Sequence, residues 1–450
     1  MKKLDGKQAH LFIATLVFLF ISIVANASKE LGNLKPETKL VQGPQGKPVQ
    51  KSTSAGLEKE LEEAAGELVA VAKDYFNVAE LDFVGRRYKD AINSYQKSIK
   101  TLPTMSAYLN LGISFLYISD FQQAEDAFIS GIHIARKKKY KKFEGVFLAT
   151  ISSVYADLGK QEEALKSYQE ALKIFEQFDN PLGQANSLGS IGVVYTHQRK
   201  LGDALKFYQE ALQIFKQIGY LRGQATTINN IGRVYFKEGK LEEAIESHKV
   251  AFKIHKQIDY PLGQASALNN IGIVYAKQGR LDDALKFYQE ALQIFKQIGN
   301  PQGQINAHNQ IGSVYFEEGE LEEALESYQK AFQISKQIGY LSGQAMTLNN
   351  IGNVYANLGK LEEGLKSYHE ALQISKQIDY PLGEADALTN ISVVYYIQGK
   401  NREAIEVLKK ARTIYLKIGA SSRELHTIEI ENIIKSFKAT KGQINPHTGY

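Results

Sequence analysis

Asparagine recurs in this chain at a spacing that invites a chemical reading. Asn110, Asn230, Asn270, Asn350 and Asn390 each stand directly before an Ile/Leu-Gly or Ile-Ser pair, and Gln310 occupies the same place in its own stretch. A second row, Asn229, Asn269, Asn309 and Asn349, lies one residue earlier. A carboxamide donates and accepts hydrogen bonds at once, so a line of them at constant spacing suits the backbone of an extended peptide. The same side chains are equally suited to bonding neighbouring helices to one another, and both readings stay open at this level.

Other residues offer weaker chemistry. Arg233, Asn353, Lys237, Lys277 and Glu317 vary between equivalent stretches and are candidates for selectivity; their mixed charge argues against a single-sign clamp. The densest basic run is Arg136, Lys137, Lys138, Lys139, Lys141 and Lys142, interrupted only by Tyr140. It could bind an anionic lipid or surface polymer, or simply solvate the negative end of a helix. The 9 histidines are scattered without a metal-binding spacing, and the chain has no cysteine, which excludes disulfides, thiolate metal sites and Cys nucleophiles. Glycine-rich phosphate loops and nucleophile–base pairings are absent. The chain therefore reads as a non-enzyme with no cofactor and no metal.

The elements that must position these residues are repeats. Leu281–Gly299 repeats Leu201–Gly219 with Gly202 in place of Asp282, and looser copies fall at forty-residue steps. Self-similarity at that period marks an array of stacked units. In Pro261–Gly299, Leu268, Ile271, Val274 and Tyr275 share one face of a first helix, A. Ala284, Leu285, Tyr288, Ala291, Leu292, Phe295 and Ile298 form the apolar stripe of a second helix, B. Gly279 suits the left-handed end of A, Asp282 and Asp283 suit the positive end of B, and Pro301 suits the first turn of the next A. Small residues at Gly272, Ala284 and Ala291 predict a close approach of the two helices. Arg199 stands where most units have Gly, which predicts a distorted turn there.

The pattern N-x-G-x-x-Y, then G-K-x-x-E-A, then Y-x-x-A-L, resembles the tetratricopeptide repeat over roughly residues 81–419. The forty-residue period, the missing Trp and the loop PLGQA or YLxGQA between units depart from the commonest form and are similar to its longer-repeat subclass. The resemblance implies an all-α, right-handed superhelical solenoid of about nine helical hairpins. It implies a concave groove lined by the A helices, whose Asn side chains bond an extended peptide. The partner expected is a protein or peptide, with no nucleic acid.

The ends read differently. Residues 1–27 carry Lys2, Lys3 and Lys7, an apolar run from Leu11 to Val24, and Ala25-Asn26-Ala27. That is the form of an exported leader cleaved after Ala27, or, if uncleaved, of an anchor over residues 11–25 that would place the chain at a membrane. The mature chain is expected in the periplasm or secreted. Residues 28–56 read as a flexible linker, 57–418 as the solenoid, 419–438 as a C-terminal capping helix and 439–450 as a polar tail. Of the net charge of +5, the leader contributes +2, so the remainder carries no charge imbalance that calls for a polyanion.

Overall fold

The computed structural model describes residues 87–417 except 119, together with 72–75, 77–79 and 83. The leader, the linker, most of the expected first helix, the capping helix and the tail lie outside the described residues. Those that are described are helical and turn residues without a strand. The helices are α1 (Tyr88–Thr101), α2 (Met105–Tyr117), α3 (Phe121–Lys137), α4 (Lys141–Asp157), α5 (Gln161–Gln177), α6 (Pro181–His197), α7 (Leu201–Gln217), α8 (Leu221–Glu238) and α9 (Leu241–Gln257). They continue as α10 (Pro261–Lys277), α11 (Leu281–Gln297), α12 (Pro301–Glu318), α13 (Leu321–Gln337), α14 (Leu341–Asn357), α15 (Leu361–Gln377), α16 (Pro381–Ile397) and α17 (Asn401–Lys417). Even-numbered helices are A and odd-numbered helices B. The fold is an all-α solenoid of successive helical hairpins.

The hairpin turns follow from backbone chemistry. Between A and B, Gly239, Gly279 and Gly319 have φ of 78°, 72° and 81°, a region open to glycine without a Cβ clash. The residue after each glycine then donates its N–H back into helix A, as Lys240 does to Tyr235 O at 2.9 Å. In the first two turns that residue is a cation lying over the same tyrosine: Lys240 is 5.8 Å from the Tyr235 ring centre and Arg280 is 4.4 Å from that of Tyr275. The turn at Arg199 is not distorted, contrary to expectation. Arg199 takes φ 59° and Lys200 N–H still reaches Tyr195 O at 3.0 Å. The turn's hydrogen bonds and the helices on either side outweigh the ~1 kcal/mol that a side chain costs in this conformation.

The segment expected as a loop, PLGQA or YLxGQA, is instead the first turn of helix A, and it has two jobs that spacing alone did not disclose. Its glutamine donates from Nε2 to a carbonyl in the last turns of the preceding helix B: Gln184 to Phe175 O at 3.2 Å, Gln224 to Phe215 O at 3.1 Å, Gln344 to Ser335 O at 3.2 Å. Where the last unit has Glu384, which cannot donate, that carboxylate instead faces Lys376 Nζ at 3.9 Å. The glycines of this turn at 183, 223, 263 and 303 sit against an aromatic ring of the preceding helix B. A Cβ on Gly223 would fall 2.6 Å from Phe215 Cδ1, so the close packing requires glycine.

The chain divides into two compact units, one ending at Val194 and one running from Tyr195. In the first, Phe128 and Phe147 are fully buried and form the centre of one continuous core, with Ala124, Ile151 and Phe175. In the second, Ala284 and Ala291 are sealed from solvent and Tyr288 is 1% exposed, so α11 lies close on α10 and α12. Within this second unit α8 also touches α10, α12 touches α14 and α14 touches α16. The A helices are thus side by side along one face, and whatever they present there is presented as a row.

Candidate functional site

The face in question belongs to α8, α10, α12, α14 and α16 of the second unit. Asn230, Asn270, Gln310, Asn350 and Asn390 occur at equivalent positions on these five helices and are all half-buried. Asn230, Gln310, Asn350 and Asn390 make no hydrogen bond to any described residue. Asn270 differs, because its Nδ2 donates to Asn229 Oδ1 at 3.2 Å across the α8–α10 seam. Four carboxamides therefore stand on one helix row with donors and acceptors unspent.

The second asparagine row does not belong to this face. Asn229, Asn309 and Asn349 are buried, at 8%, 7% and 8% exposure, because a residue one step earlier on a helix is turned by about 100° and here meets the next helix instead of solvent. Asn229 Oδ1 also lies 2.7 Å from His248 Nδ1, and Thr347 Oγ1 donates to Asn309 Oδ1 at 3.3 Å. Asn269 is half-buried in the same register. Asn229 and Asn309 thus spend their Oδ1 atoms on neighbouring helices, whereas Asn349 is buried with its Oδ1 unpartnered among the described residues. Asn110, in the other unit, is 2% exposed and cannot serve a partner either.

The candidate selectivity residues lie around the free amides. Arg233 is one turn beyond Asn230 and half-buried; Lys237, Lys277 and Glu317 are exposed near the ends of their helices. Burial, then Arg233 and Arg199, hold the Lys237 ammonium below its ordinary range. Burial pushes the Tyr208 hydroxyl up to about 12, against a hydrogen bond from Thr196 and the charge of Arg233. Glu317 acts on the other side of zero: burial first, then its negative charge, raise Tyr288 and Tyr328. Asn353 is half-buried and accepts at Oδ1 from Tyr368 OH at 2.6 Å, which orients its amide.

The basic run has a partner inside the chain. Arg136 Nε donates to Glu144 Oε1 at 2.8 Å and Lys141 Nζ to Glu144 Oε2 at 2.7 Å. Glu144 is 4% exposed. Burial raises its carboxyl, but the hydrogen bonds of Lys141 and Arg136 outweigh that and hold it below the usual range. Lys139 takes the left-handed place, at φ 59°, that glycine holds in other units, and Lys138 caps α3. Much of the run thus closes a turn and neutralises a buried carboxylate. Spacing gave no warning of this, because Glu144 reads as one more acid in a first helical turn. Asp157 was also missed: burial at the end of α4 pushes its carboxyl up to about 7.

Comparison with known proteins agrees with this geometry. The model of the tetratricopeptide repeat family matches residues 144–217, 183–257, 263–337 and 343–417, more than half of the chain. The chain is a tetratricopeptide repeat protein. No curated protein matches it in sequence. Among solved structures, the apo form of the quorum sensor NprR from B. thuringiensis superposes with a TM-score of 0.53 at 17% identity, covering 71% of this chain and 93% of that one. A Rap protein complexed with competence and sporulation factor gives 0.52 at 14% identity, covering 83% and 99%. Aspartyl phosphate phosphatase F from Bacillus subtilis gives 0.51 at 12%, covering 83% and 96%. At such identities the likeness speaks for the fold. The forty-residue tetratricopeptide hairpins of this chain carry their free amides on helix A.

Proposed function

We propose that this tetratricopeptide repeat chain is a non-catalytic scaffold that holds an extended peptide segment of a protein partner along its A-helix face. The observation that carries the reading is the row of unpartnered, half-exposed carboxamides at Asn230, Gln310, Asn350 and Asn390. A side chain that spends its donors and acceptors inside the fold has a structural explanation; these four have none, and a peptide backbone offers the complementary pair at each residue. The variable neighbours Arg233, Asn353, Lys237, Lys277 and Glu317 would read side chains. A Rap protein has been solved with a bound factor, which makes capture by such a fold a reasonable mode.

The test is an array of immobilised, acetylated and amidated decapeptides probed with the full chain. The triple variant Asn230→Ala/Asn350→Ala/Asn390→Ala should lose about tenfold to a hundredfold in retention, at ~0.5–1 kcal/mol for each bond removed. Its thermal midpoint should stay near that of the parent, since no internal bond is cut. Equal retention by both would remove the amide row from the mechanism.

We also propose that the chain acts outside the cytoplasm, periplasmic or secreted, on the basic, apolar and Ala-x-Ala order of residues 1–27. Mass spectrometry of the protein from its native host should find an N-terminus at Ser28. A native chain beginning at Met1 or Lys2 would favour an anchor or an internal location.

A further inference from the structure

The two edges of the second unit differ in charge and in polarity. Successive helices run in opposite directions, so the turns from B to A lie at one edge and those from A to B at the other. The B–A turns are alike. Tyr220, Tyr260 and Asn300 N–H groups reach Phe215, His255 and Phe295 carbonyls at 2.9 Å, and those of Tyr340 and Tyr380 reach Ser335 and Ser375 carbonyls at 2.8 Å. In each, helix B ends on an isoleucine: Ile218, Ile258, Ile298, Ile338 and Ile378. Ile218, Ile298 and Ile338 are 38%, 37% and 44% exposed, and the other two are half-buried. The turn does not require them. Its hydrogen bonds are made by backbone atoms, and the same turn at the other edge closes on Gln278, on Gln398 or on the half-buried Leu358.

Two residues before each isoleucine stands an exposed lysine: Lys216, Lys256, Lys296, Lys336 and Lys376. The first four make no ion pair with a described residue. The acids near them are Asp259 and Asp379 in the turns and Glu384 beside Lys376. The negative end of a helix accounts for the lysines taken alone. It does not account for an aliphatic side chain left in water next to each one. The opposite edge has the other sign. There the first turns of α9, α11 and α13 carry Glu242, Glu243, Asp282, Asp283, Glu322 and Glu323, while Lys240 and Arg280 are paired with Glu238 and Asp283.

We propose that the B–A edge of the second unit seats on an anionic lipid bilayer, with Ile218, Ile298 and Ile338 entering the boundary between headgroups and acyl chains and the lysines meeting the headgroups. Aliphatic side chains interleaved with lysines, whose stems lie along apolar surface, suit that boundary. Tyr220, Tyr260, Tyr340 and Tyr380 are half-buried in the same turns, and tyrosine favours the headgroup level. The same surface repels the acidic edge, so the unit has one orientation on it. A second copy of the chain fits less well. It offers acids at its A–B edge, but among the described residues of this unit only Val393 and Ile397 of α16 leave large hydrophobics exposed towards that edge. The isoleucine row would find no apolar counterpart there.

The chain has no Trp, so a single introduced indole reports on one place. The full chain with Ile298→Trp, and separately with Asp282→Trp at the other edge, is mixed with vesicles of brominated phosphatidylcholine, with and without phosphatidylglycerol. Bromine should quench the indole at 298 only when phosphatidylglycerol is present, and the effect should fall as salt rises. The indole at 282 should stay unquenched. Adding Lys216→Gln/Lys296→Gln/Lys336→Gln to Ile298→Trp should raise the lipid concentration for half-quenching about a hundredfold, and adding Ile218→Gln/Ile338→Gln about tenfold. Both sets change exposed side chains and should leave the thermal midpoint unmoved. Quenching that is equal at 298 and 282, or that needs no phosphatidylglycerol, would belong to the apolar run Leu11–Val24 and would overturn the edge. No quenching at 298 would overturn it as well. A blue shift at 298 that grows with protein concentration in the absence of lipid would give the edge to a second copy instead. Each of these results leaves peptide capture standing.

Discussion

Acidification from pH 7 to 4.5 should strip several kcal/mol, on the order of 5, from the second unit, a large share of the stability of an ordinary domain. Three histidines cause it. His248, His255 and His308 are 1%, 3% and 7% exposed and replace the Tyr, Phe and Leu that other hairpins carry at those positions. Burial, with Arg233 beside it, lowers the imidazole of His248 to about 3. Burial and Arg222 lower His255 to about 4, and its ring also meets that of Tyr260, 5.3 Å away. Burial, Lys296 and Lys330 lower His308 to about 4, and Glu326 opposes them without prevailing. His248 keeps its bond to Asn229, and Gly232 lies against its ring, so the ring has little room to turn outward.

The direction is fixed by which state takes up protons. Unfolded histidines protonate near 6.5, folded ones only near 3 to 4, so between these values the unfolded chain binds more protons. The stabilisation is whole above pH 6.5 and drains away below it, at about 1.4 kcal/mol per histidine per pH unit. Each hairpin also relies on its neighbours, so loss at α9 and α12 spreads along the stack. Urea unfolding at pH 7.5, 6.5, 5.5 and 4.5 should show a slope approaching three protons. His248→Tyr/His255→Phe/His308→Leu should flatten it. A parent profile level down to pH 4.5 would contradict the assignment.

Tyr288→Ala should cost about 3–5 kcal/mol, the usual loss for a buried aromatic. Tyr288 lies over Gly272, where an added Cβ would stand 2.6 Å from Tyr288 Cε1. Gly272→Ala improves helix propensity by ~1 kcal/mol, yet the clash costs ~1–3 kcal/mol or somewhat more in a core this tight, so the clash decides the sign. The double variant is the informative one. With the ring gone the new methyl enters empty space, and the pair should cost no more than Tyr288→Ala alone. Chemical denaturation of the four proteins measures this. Costs that simply add would mean that the two residues do not touch.

How much of this was legible beforehand depends on the reach of each rule. The period, the A and B faces, Gly239 and Gly279 at positive φ, and Pro261 and Pro301 opening helices could all be read from residues a few positions apart. The expectation for the turn at Arg199 failed because a local preference of ~1 kcal/mol is small beside the helices that close the turn. The basic run was ambiguous for a different reason: its counter-ion, Glu144, looked like a helix-start acid until the fold buried it.

The two asparagine rows show the division most plainly. Residue types and spacing determined by themselves that this chain is a stack of helical hairpins, because helical period and turn conformation are set by near neighbours. Only the tertiary structure decided that Asn230 and Asn350 stand free while Asn229 is consumed in a seam by His248 and Asn270. Which face of a helix stays open is settled by the helix stacked against it, and that partner lies some forty residues away in the chain.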